Sequence, residues 1–312
     1  MDISTQLDLR NDTLDLRRQD LAQVYRPQRE WIDGRGLLIV VAHFFSGIGA
    51  GAWLWSTLYD FDIGRWIAFG CVVGLSGIAH LAFLGRWNRF WRMLKRPHKS
   101  WISRGIWSIG LFSLLAVASE IPAIADSAAA KPLVFASVLA ACAILAYEGF
   151  VYAASKAIPF WNTSLLPVLY VAYGLRGGAA LLLIAAALGA GQFDVAAVEA
   201  VKLWAIVSTA VLILLYLVSG RRAGGAARES VSALVMGRVS AAFYGGTMIV
   251  GIALPIALTA FRETLAIPEL VVLGAIGVTS LIGDFYVKYC VVKAGVYTPL
   301  VGATGVKRAQ NA

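Results

Sequence analysis

The chain has 312 residues, of which 59% are hydrophobic and 14% charged, and its mean hydropathy is +0.73. A soluble domain carries about 25% charged residues, so the composition excludes a soluble enzyme and indicates an integral membrane protein. The net charge of +9 does not indicate a nucleic-acid partner, because the basic residues are spread over loops between apolar runs, where they suit an anionic lipid surface.

Eight apolar runs are each long enough to cross a bilayer as a helix, which takes about 20 residues. The predicted spans are 36–58, 64–84, 103–123, 132–154, 164–190, 195–219, 237–260 and 268–292. Residues 1–35 are polar and contain no apolar core of a signal peptide, so we expect a cytoplasmic tail there and an uncleaved first span. The predicted fold class is an all-α integral membrane protein with eight transmembrane helices.

The charges of the loops predict the orientation. The loop between spans 2 and 3 is basic, whereas the loop between spans 1 and 2 carries Asp60 and Asp62, and the loop between spans 5 and 6 carries Asp194. Because cytoplasmic loops carry an excess of Lys and Arg, we expect both termini in the cytoplasm and the chain in the bacterial inner membrane. The basic residues of the loop between spans 2 and 3 are Arg86, Arg89, Arg92, Lys95, Arg96 and Lys99.

A weak internal repeat predicts the arrangement of the spans. The segment "SGIGAGAWL" in span 1 aligns with "GLRGGAALL" in span 5, and two further matches follow in the same order. The matched pairs are Gly47 with Gly174, Gly51 with Gly178, Arg104 with Arg238, Glu148 with Asp284, and Lys156 with Lys293. We predict two four-helix bundles in parallel duplication, at 36–158 and, with a preceding hinge, at 159–294, and then a tail at 295–312. Chance similarity between glycine-rich helices is the alternative.

Two polar positions in the first predicted bundle lie at the same depth. His43 follows the start of span 1 by about seven residues, and Tyr147 and Glu148 precede the end of span 4 by about as many, which places both roughly 10 Å below the cytoplasmic surface. Ionisable groups at such depth are costly and are functional candidates. An imidazole, a phenol and a carboxylate can hydrogen-bond a carbonyl and exchange its proton, as the chemistry of a quinone requires. The alternatives are a helix–helix hydrogen bond for His43, packing for Tyr147, and an ion pair with a loop arginine for Glu148.

A second group of charges lies in the second predicted bundle. Arg176 falls at the middle of span 5, and Asp284 lies about nine residues from the cytoplasmic end of span 8. Lys288 is one helical turn from Asp284, so we expect an ion pair within that helix. With Glu148, these charges can form either a proton route or a static network of salt bridges between the bundles.

Cysteines and histidines bear on metal cofactors. Cys71, Cys142 and Cys290 lie in three different spans without a C-x-x-C motif, so we expect no iron–sulfur cluster in this chain. His43 and His80 lie within spans and could hold one haem, so a b-type cytochrome remains an alternative, although we expect no haem. A secondary transporter is the other alternative, because it would also explain a repeat and buried charges.

Four segments resemble the NrfD/PsrC family, the polytopic quinone-interacting membrane subunits of multisubunit molybdenum and iron–sulfur oxidoreductases. They are "SGIGAGAWL", "AHLAFLGRWNRFWRMLKRPHKSWISRG", "YEGFVYAASKAIPFWNTSLLPVLYVAYGLRGGAAL" and "KAGVYTPL". The resemblance covers most of residues 36–300. In the family, proline normally follows the arginine of the second segment, and Trp87 replaces it here.

The resemblance implies a membrane anchor that binds quinone or quinol, either menaquinone or ubiquinone. It would pass electrons between the quinone pool and an iron–sulfur subunit, which in turn meets a molybdenum or tungsten catalytic subunit. The family's histidine on the first helix and tyrosine on the fourth, which contact the quinone head-group, map onto His43 and Tyr147. Glu148 is the candidate proton relay, and Arg176 and Asp284 complete the candidate site residues.

The partner subunits are expected on the basic, cytoplasmic side. The hinge "IPFWNTSLLP" joins the two predicted bundles on that side, so we expect it to shape the mouth of the pocket and, through Trp161, to dock the iron–sulfur subunit together with the basic loop. Anchoring at the membrane interface is the alternative for such aromatic residues.

Overall fold

The computed structural model describes residues 25–190, 193–264 and 266–298. In that part of the chain, eight helices are long and apolar enough to cross a membrane, which confirms the predicted fold class. They are α1 (Gly36–Leu58), α2 (Asp62–Leu84), α3 (Trp101–Ser119), α4 (Ala130–Ala153), α5 (Leu165–Ala187), α6 (Val195–Ala223), α7 (Ser240–Phe261) and α8 (Glu269–Ala294). The predicted tails lie largely outside the described residues.

Polar caps set the starts of α3 and α6. The Ser100 hydroxyl accepts a hydrogen bond from the backbone N–H of Ser103 at 3.3 Å, and Asp194 accepts one from Ala197 at 3.0 Å. Such caps satisfy N–H groups that have no partner within the helix. The helix α3 ends at Ser119, short of the predicted residue 123, because a separate short helix, Pro122–Ala125, begins at a proline.

Three departures from regular α-helix lie in or beside the membrane helices. A 3-10 helix, Trp87–Lys95, follows α2 and packs against α3. Wider π-helical turns occur within α2 at Gly70–Leu75 and within α7 at Phe243–Ala253. Such turns often accompany functional sites, and the one in α2 ends directly before Ser76, one turn from His80.

Glycines bring α1 and α5 into backbone contact. A Cβ atom at Gly51 would clash with the backbone carbonyl of Gly174, and one at Gly178 would clash with the backbone of Gly51. Gly51 and Gly178 at this contact are also a pair that the internal repeat matched. Since helices in lipid associate mainly by close packing, small residues at this contact hold α1 against α5.

The helices α1 and α5 form the centre of the structure. The helix α1 packs against α2, α4, α5 and α8, and α5 packs against α4, α6 and α8. The helices α3 and α7 are peripheral, packed on α4 and α8 respectively. Every helix of α1–α4 packs against another member of that set, and the same holds for α5–α8, while the parallel repeat itself stays a prediction.

A short clip joins the two ends of the described chain. Strands β1 (Arg26–Pro27) and β2 (Val296–Tyr297) pair antiparallel. The fully buried Gln28 donates from its side chain to the Val292 carbonyl at 2.5 Å. Beside them the Tyr297 hydroxyl donates to Glu30 at 3.0 Å, and backbone hydrogen bonds, with this hydroxyl, lower the pKa of the Glu30 carboxyl. The clip thus closes the segment before α1 against the end of α8.

We expect Gly51→Ala to destabilise the protein by about 1–3 kcal/mol, because the added methyl group must push α1 away from α5. Gly110→Ala is the matched control, since a Cβ atom at that position in α3 meets open space. The measurement is thermal unfolding of both purified variants in the same detergent. Equal melting temperatures for the two variants would show that the contact between α1 and α5 does not depend on glycine.

Candidate functional site

An apolar cavity of about 240 Å³ lies among α1, α2, α3 and α4, beside the 3-10 helix. Its walls are mainly aliphatic, including Ile39, Ile106 and Val151. The titratable side chains that line it are His43 from α1, His80 from α2 and Tyr147 from α4. A mostly apolar cavity with a few convergent polar groups is typical of a site for an organic ligand.

The cavity borders the lipid-facing surface between α2 and α3. Leu81 and Ile102 both line it, yet they are 39% and 44% exposed. Side chains that contribute to a cavity wall and to the outer surface mark the place where the wall is thin. A lipid-soluble ligand can therefore reach the polar groups from within the membrane.

The His43 ring lies at the centre of an aromatic cluster. It is 2% exposed, and its Nδ1 atom lies 3.0 Å from the Tyr152 hydroxyl. The ring meets the Tyr147 ring edge-on, with centroids 5.7 Å apart, and the Tyr152 ring in the same way at 5.4 Å. The structure thus brings together His43 and Tyr147, as their common depth predicted.

The second histidine of the cavity, His80, was not among the predicted site residues. Its ring centroid lies 5.6 Å from that of His43, at an interplanar angle of 67°. The b-type cytochrome that the sequence left open stays an alternative. The signal available in the sequence was the depth of His80, which is close to that of His43.

Glu148 lies behind this cavity and does not line it. The residue is fully buried, one carboxylate oxygen accepts a hydrogen bond from the Ser46 hydroxyl at 2.6 Å, and the other pairs with the Lys288 ammonium group. Lys288 also donates to the backbone carbonyl of His43 at 2.8 Å. This ammonium group therefore links the helix that carries His43 to Glu148.

The predicted ion pair between Asp284 and Lys288 is wrong. Lys288 pairs with Glu148 on α4, and Asp284 pairs with Arg176 on α5, where the guanidinium Nε lies 3.1 Å from the carboxylate. Each buried charge on α8 thus finds an opposite charge on another helix, and the two pairs connect α8 to α4 and α5. Glu148 thus pairs with a lysine of a membrane helix. The sequence analysis had named a loop arginine as the alternative partner.

The Arg176 side chain is wholly buried, and several oxygen atoms surround it. It donates to the Thr209 hydroxyl at 3.1 Å and to the Gly251 carbonyl. Lys202 donates to its backbone carbonyl at 3.0 Å. The oxygens of Asp284 accept no hydrogen bond from the described residues, and the nearby hydroxyls of Ser280 and Tyr173 also lack a partner there. Polar atoms of this kind are commonly satisfied by buried water.

The aromatic hinge is a packed part of the core. Trp161 and Phe160 are 0% and 1% exposed, and the Trp161 indole donates to the Val291 carbonyl at 2.9 Å. The expectation that Trp161 faces a docking partner is therefore wrong. Only small polar parts of the hinge, such as Asn162 and Ser164, are exposed. The hinge aromatics instead fix the end of α8 against the connection between α4 and α5.

The basic loop is the exposed surface nearest to the cavity. Its 3-10 helix presents Trp87, Phe90 and Trp91, which are 45–61% exposed. Phe90 also lines the cavity. Within the described residues, none of the six Lys and Arg residues of this loop makes an ion pair with a carboxylate.

The described residues contain no group of three or more His, Cys, Asp or Glu side chains placed to hold a metal ion. Comparison with known families finds a match to the family described as "Polysulphide reductase, NrfD" over residues 35–300. No curated protein matches the sequence. The family match covers most of the chain, including α1–α8, and the chain therefore belongs to the NrfD family.

We expect Lys288→Met to destabilise the protein by about 3–5 kcal/mol, because it leaves the Glu148 carboxylate buried without its counter-charge. The double variant with Glu148→Gln and Lys288→Met should recover much of that loss, since no uncompensated charge remains. The measurement is thermal unfolding of the single and double variants in one detergent.

The control is Arg26→Met, which removes the exposed pair of Arg26 with Glu30, 4.0 Å apart. Exposed pairs contribute little, so this change should cost less than about 1 kcal/mol. A Lys288→Met variant as stable as Arg26→Met would contradict the structural role of the buried pair.

Proposed function

We propose that this NrfD-family chain is the membrane anchor and quinone-reactive subunit of a respiratory oxidoreductase complex. It passes electrons between the membrane pool of menaquinone or ubiquinone and an iron–sulfur subunit, which serves a molybdenum or tungsten catalytic subunit. The observation that carries the proposal is the apolar cavity where the rings of His43 and Tyr147 meet at 5.7 Å. Membership of a family of redox-complex membrane subunits supports it.

The cavity suits a quinone head-group in two respects. Its aliphatic walls match an apolar ring and the start of an isoprenoid tail, and its lipid-facing border between α2 and α3 offers access from the membrane. The quinone supplies the redox chemistry, because it accepts two electrons and two protons. The imidazole of His43 and the phenol of Tyr147 hydrogen-bond the carbonyl oxygens, where negative charge develops on reduction.

Glu148 is proposed as the proton relay between this site and the cytoplasmic side. Lys288 contacts both the backbone carbonyl of His43 and the Glu148 carboxylate, so its ammonium group links Glu148 to the helix that carries His43. Asp284 precedes Lys288 by one turn of α8, and Arg176 balances the charge of Asp284. In this proposal Asp284 extends the relay into the second group of helices and Arg176 holds it in position.

The basic loop is the proposed docking surface for the iron–sulfur subunit. It is exposed, its six basic residues make no ion pair with a carboxylate of the described residues, and its 3-10 helix borders the cavity. Electrons arriving at this surface have a short path to the head-group. With the Lys and Arg bias of the loops, we place this surface, both termini and the partners on the cytoplasmic side of a bacterial inner membrane.

We expect His43→Ala and Tyr147→Phe each to reduce electron transfer between the complex and quinone by about 100-fold, because each removes a positioned donor. The partner's reaction with a soluble artificial acceptor should continue, since the catalytic subunit is unchanged. Both activities are measured on the same purified complex, after confirming that all subunits are present.

The matched control is Tyr244→Phe on the lipid-facing side of α7, where the tyrosine is 44% exposed. This change should leave quinone turnover unaffected. Assembled His43→Ala and Tyr147→Phe complexes with full quinone turnover would place the reactive site elsewhere.

We expect a photo-activated cross-linker attached at Lys99→Cys to capture the iron–sulfur subunit. The control is Ser127→Cys in the loop between α3 and α4, at the other end of the same helices, where no capture is expected. Both experiments are run in a Cys142→Ser background, because Cys142 is the exposed native cysteine of the described residues. Capture from Ser127→Cys alone would assign the docking surface to the opposite end of the protein.

A further inference from the structure

His80 occupies a position in the cavity that the proposed function does not yet use. It comes from α2, lines the same cavity as His43 and Tyr147, and meets the His43 ring edge-on at 5.6 Å. An ionisable side chain at this depth is costly to insert, so its presence beside a ligand cavity calls for a chemical role.

The hydrogen bonds of His80 fix the state of its two nitrogens. Its Nδ1 atom lies 2.9 Å from the backbone carbonyl oxygen of Ser76, which can only accept. In the neutral ring Nδ1 therefore carries the hydrogen, and Nε2 keeps the lone pair. The Ser76 hydroxyl, 3.2 Å from the same Nδ1 atom, adds to this anchorage. Because α2 holds one edge of the ring, the edge with the basic Nε2 points away from its backbone.

The other polar groups leave one proton of a quinol without an acceptor. Glu148 does not line the cavity, and its two oxygens are engaged by Ser46 and Lys288. The phenol of Tyr147 is a donor at neutral pH, since an ordinary tyrosine has a pKa of about 10. His43 supplies one imidazole, and His80 is the remaining titratable group in the cavity wall.

The cavity that His80 lines adjoins a second cavity at the loop surface. This second cavity of about 520 Å³ lies in the basic loop and shares Leu84, Phe90 and Met93 with the first. Arg35, Arg86 and Arg89 line this outer cavity. This outer cavity therefore lies next to the cavity of His80 and away from the buried charges of α8.

We propose that His80 exchanges the second proton of the quinone directly, with His43 exchanging the first. In quinol oxidation an O–H bond of the head-group breaks, and its proton moves to Nε2 of His80. The two electrons leave one at a time to the one-electron iron–sulfur carrier of the partner subunit. In quinone reduction the same proton returns from Nε2 to the oxygen. This inference rests on the proposed function of the cavity.

The test compares His80→Asn with His80→Ala in the assembled complex. The asparagine amide nitrogen can replace Nδ1 in the hydrogen bond to the Ser76 carbonyl, but the side chain has no basic atom in place of Nε2. We expect both variants to lower quinone turnover by about 100-fold. A purely structural role predicts that asparagine restores the rate and alanine does not.

Two further readouts separate proton exchange from ligand binding. The pH profile of quinone turnover should change in His80→Asn, because a side chain that titrates is replaced by one that does not. Binding of the fluorescent quinone analogue 2-heptyl-4-hydroxyquinoline N-oxide, followed by its quenching, should change by less than about threefold.

A His80→Asn complex with normal turnover and an unchanged pH profile would overturn the inference. If His43→Ala were still inactive in that experiment, the proposed function would stand while His80 lost its role. Normal turnover in all of the His80, His43 and Tyr147 variants would instead reject the cavity as the quinone site.

Discussion

The structure depends on two ion pairs that are buried among apolar helices. Glu148, Arg176, Asp284 and Lys288 are all at most 1% exposed, and an unpaired charge in hydrocarbon would cost several kcal/mol. The two ion pairs are formed between helices, so they connect α8 through its side chains to both α4 and α5. The Lys288 ammonium group also donates to the backbone carbonyl of His43. The same lysine therefore helps to position the helix segment that carries His43.

Glycine makes this pairing compatible with close helix packing. A Cβ atom at Gly47 would lie 2.9 Å from both the Glu148 carboxylate and the Lys288 ammonium group, and one at Gly177 would lie 3.1 Å from the Asp284 carboxylate. The glycines of α1 and α5 therefore allow these helices to pack closely and also leave room for the two ion pairs. The small residues serve packing and electrostatics at once, and the cavity lies one to two helical turns away along α1, at His43 and Ile39.

Residue spacing predicted the helices and the convergence of His43 with Tyr147, because apolar run length and depth are properties of a single helix. It did not predict which charges pair, because Lys288 can reach Asp284 along its own helix and only packing brings Glu148 closer to it. Trp161 was misassigned for the same reason, since an aromatic residue in a hinge can face either a partner or the core. His80 was missed as a site residue because its orientation depends on how α2 rotates against α1.

The central claim, that the quinone binds among α1–α4, is tested most directly by photoaffinity labelling with an azidoquinone. The assembled complex is illuminated with the probe, with and without excess unlabelled quinone, and the modified peptides are identified by mass spectrometry. We expect labelled peptides from α1, α2 or α4, among them those that contain His43, His80 or Tyr147. Excess unlabelled quinone should abolish this labelling. Competable labelling confined to α5–α8 would contradict the central claim.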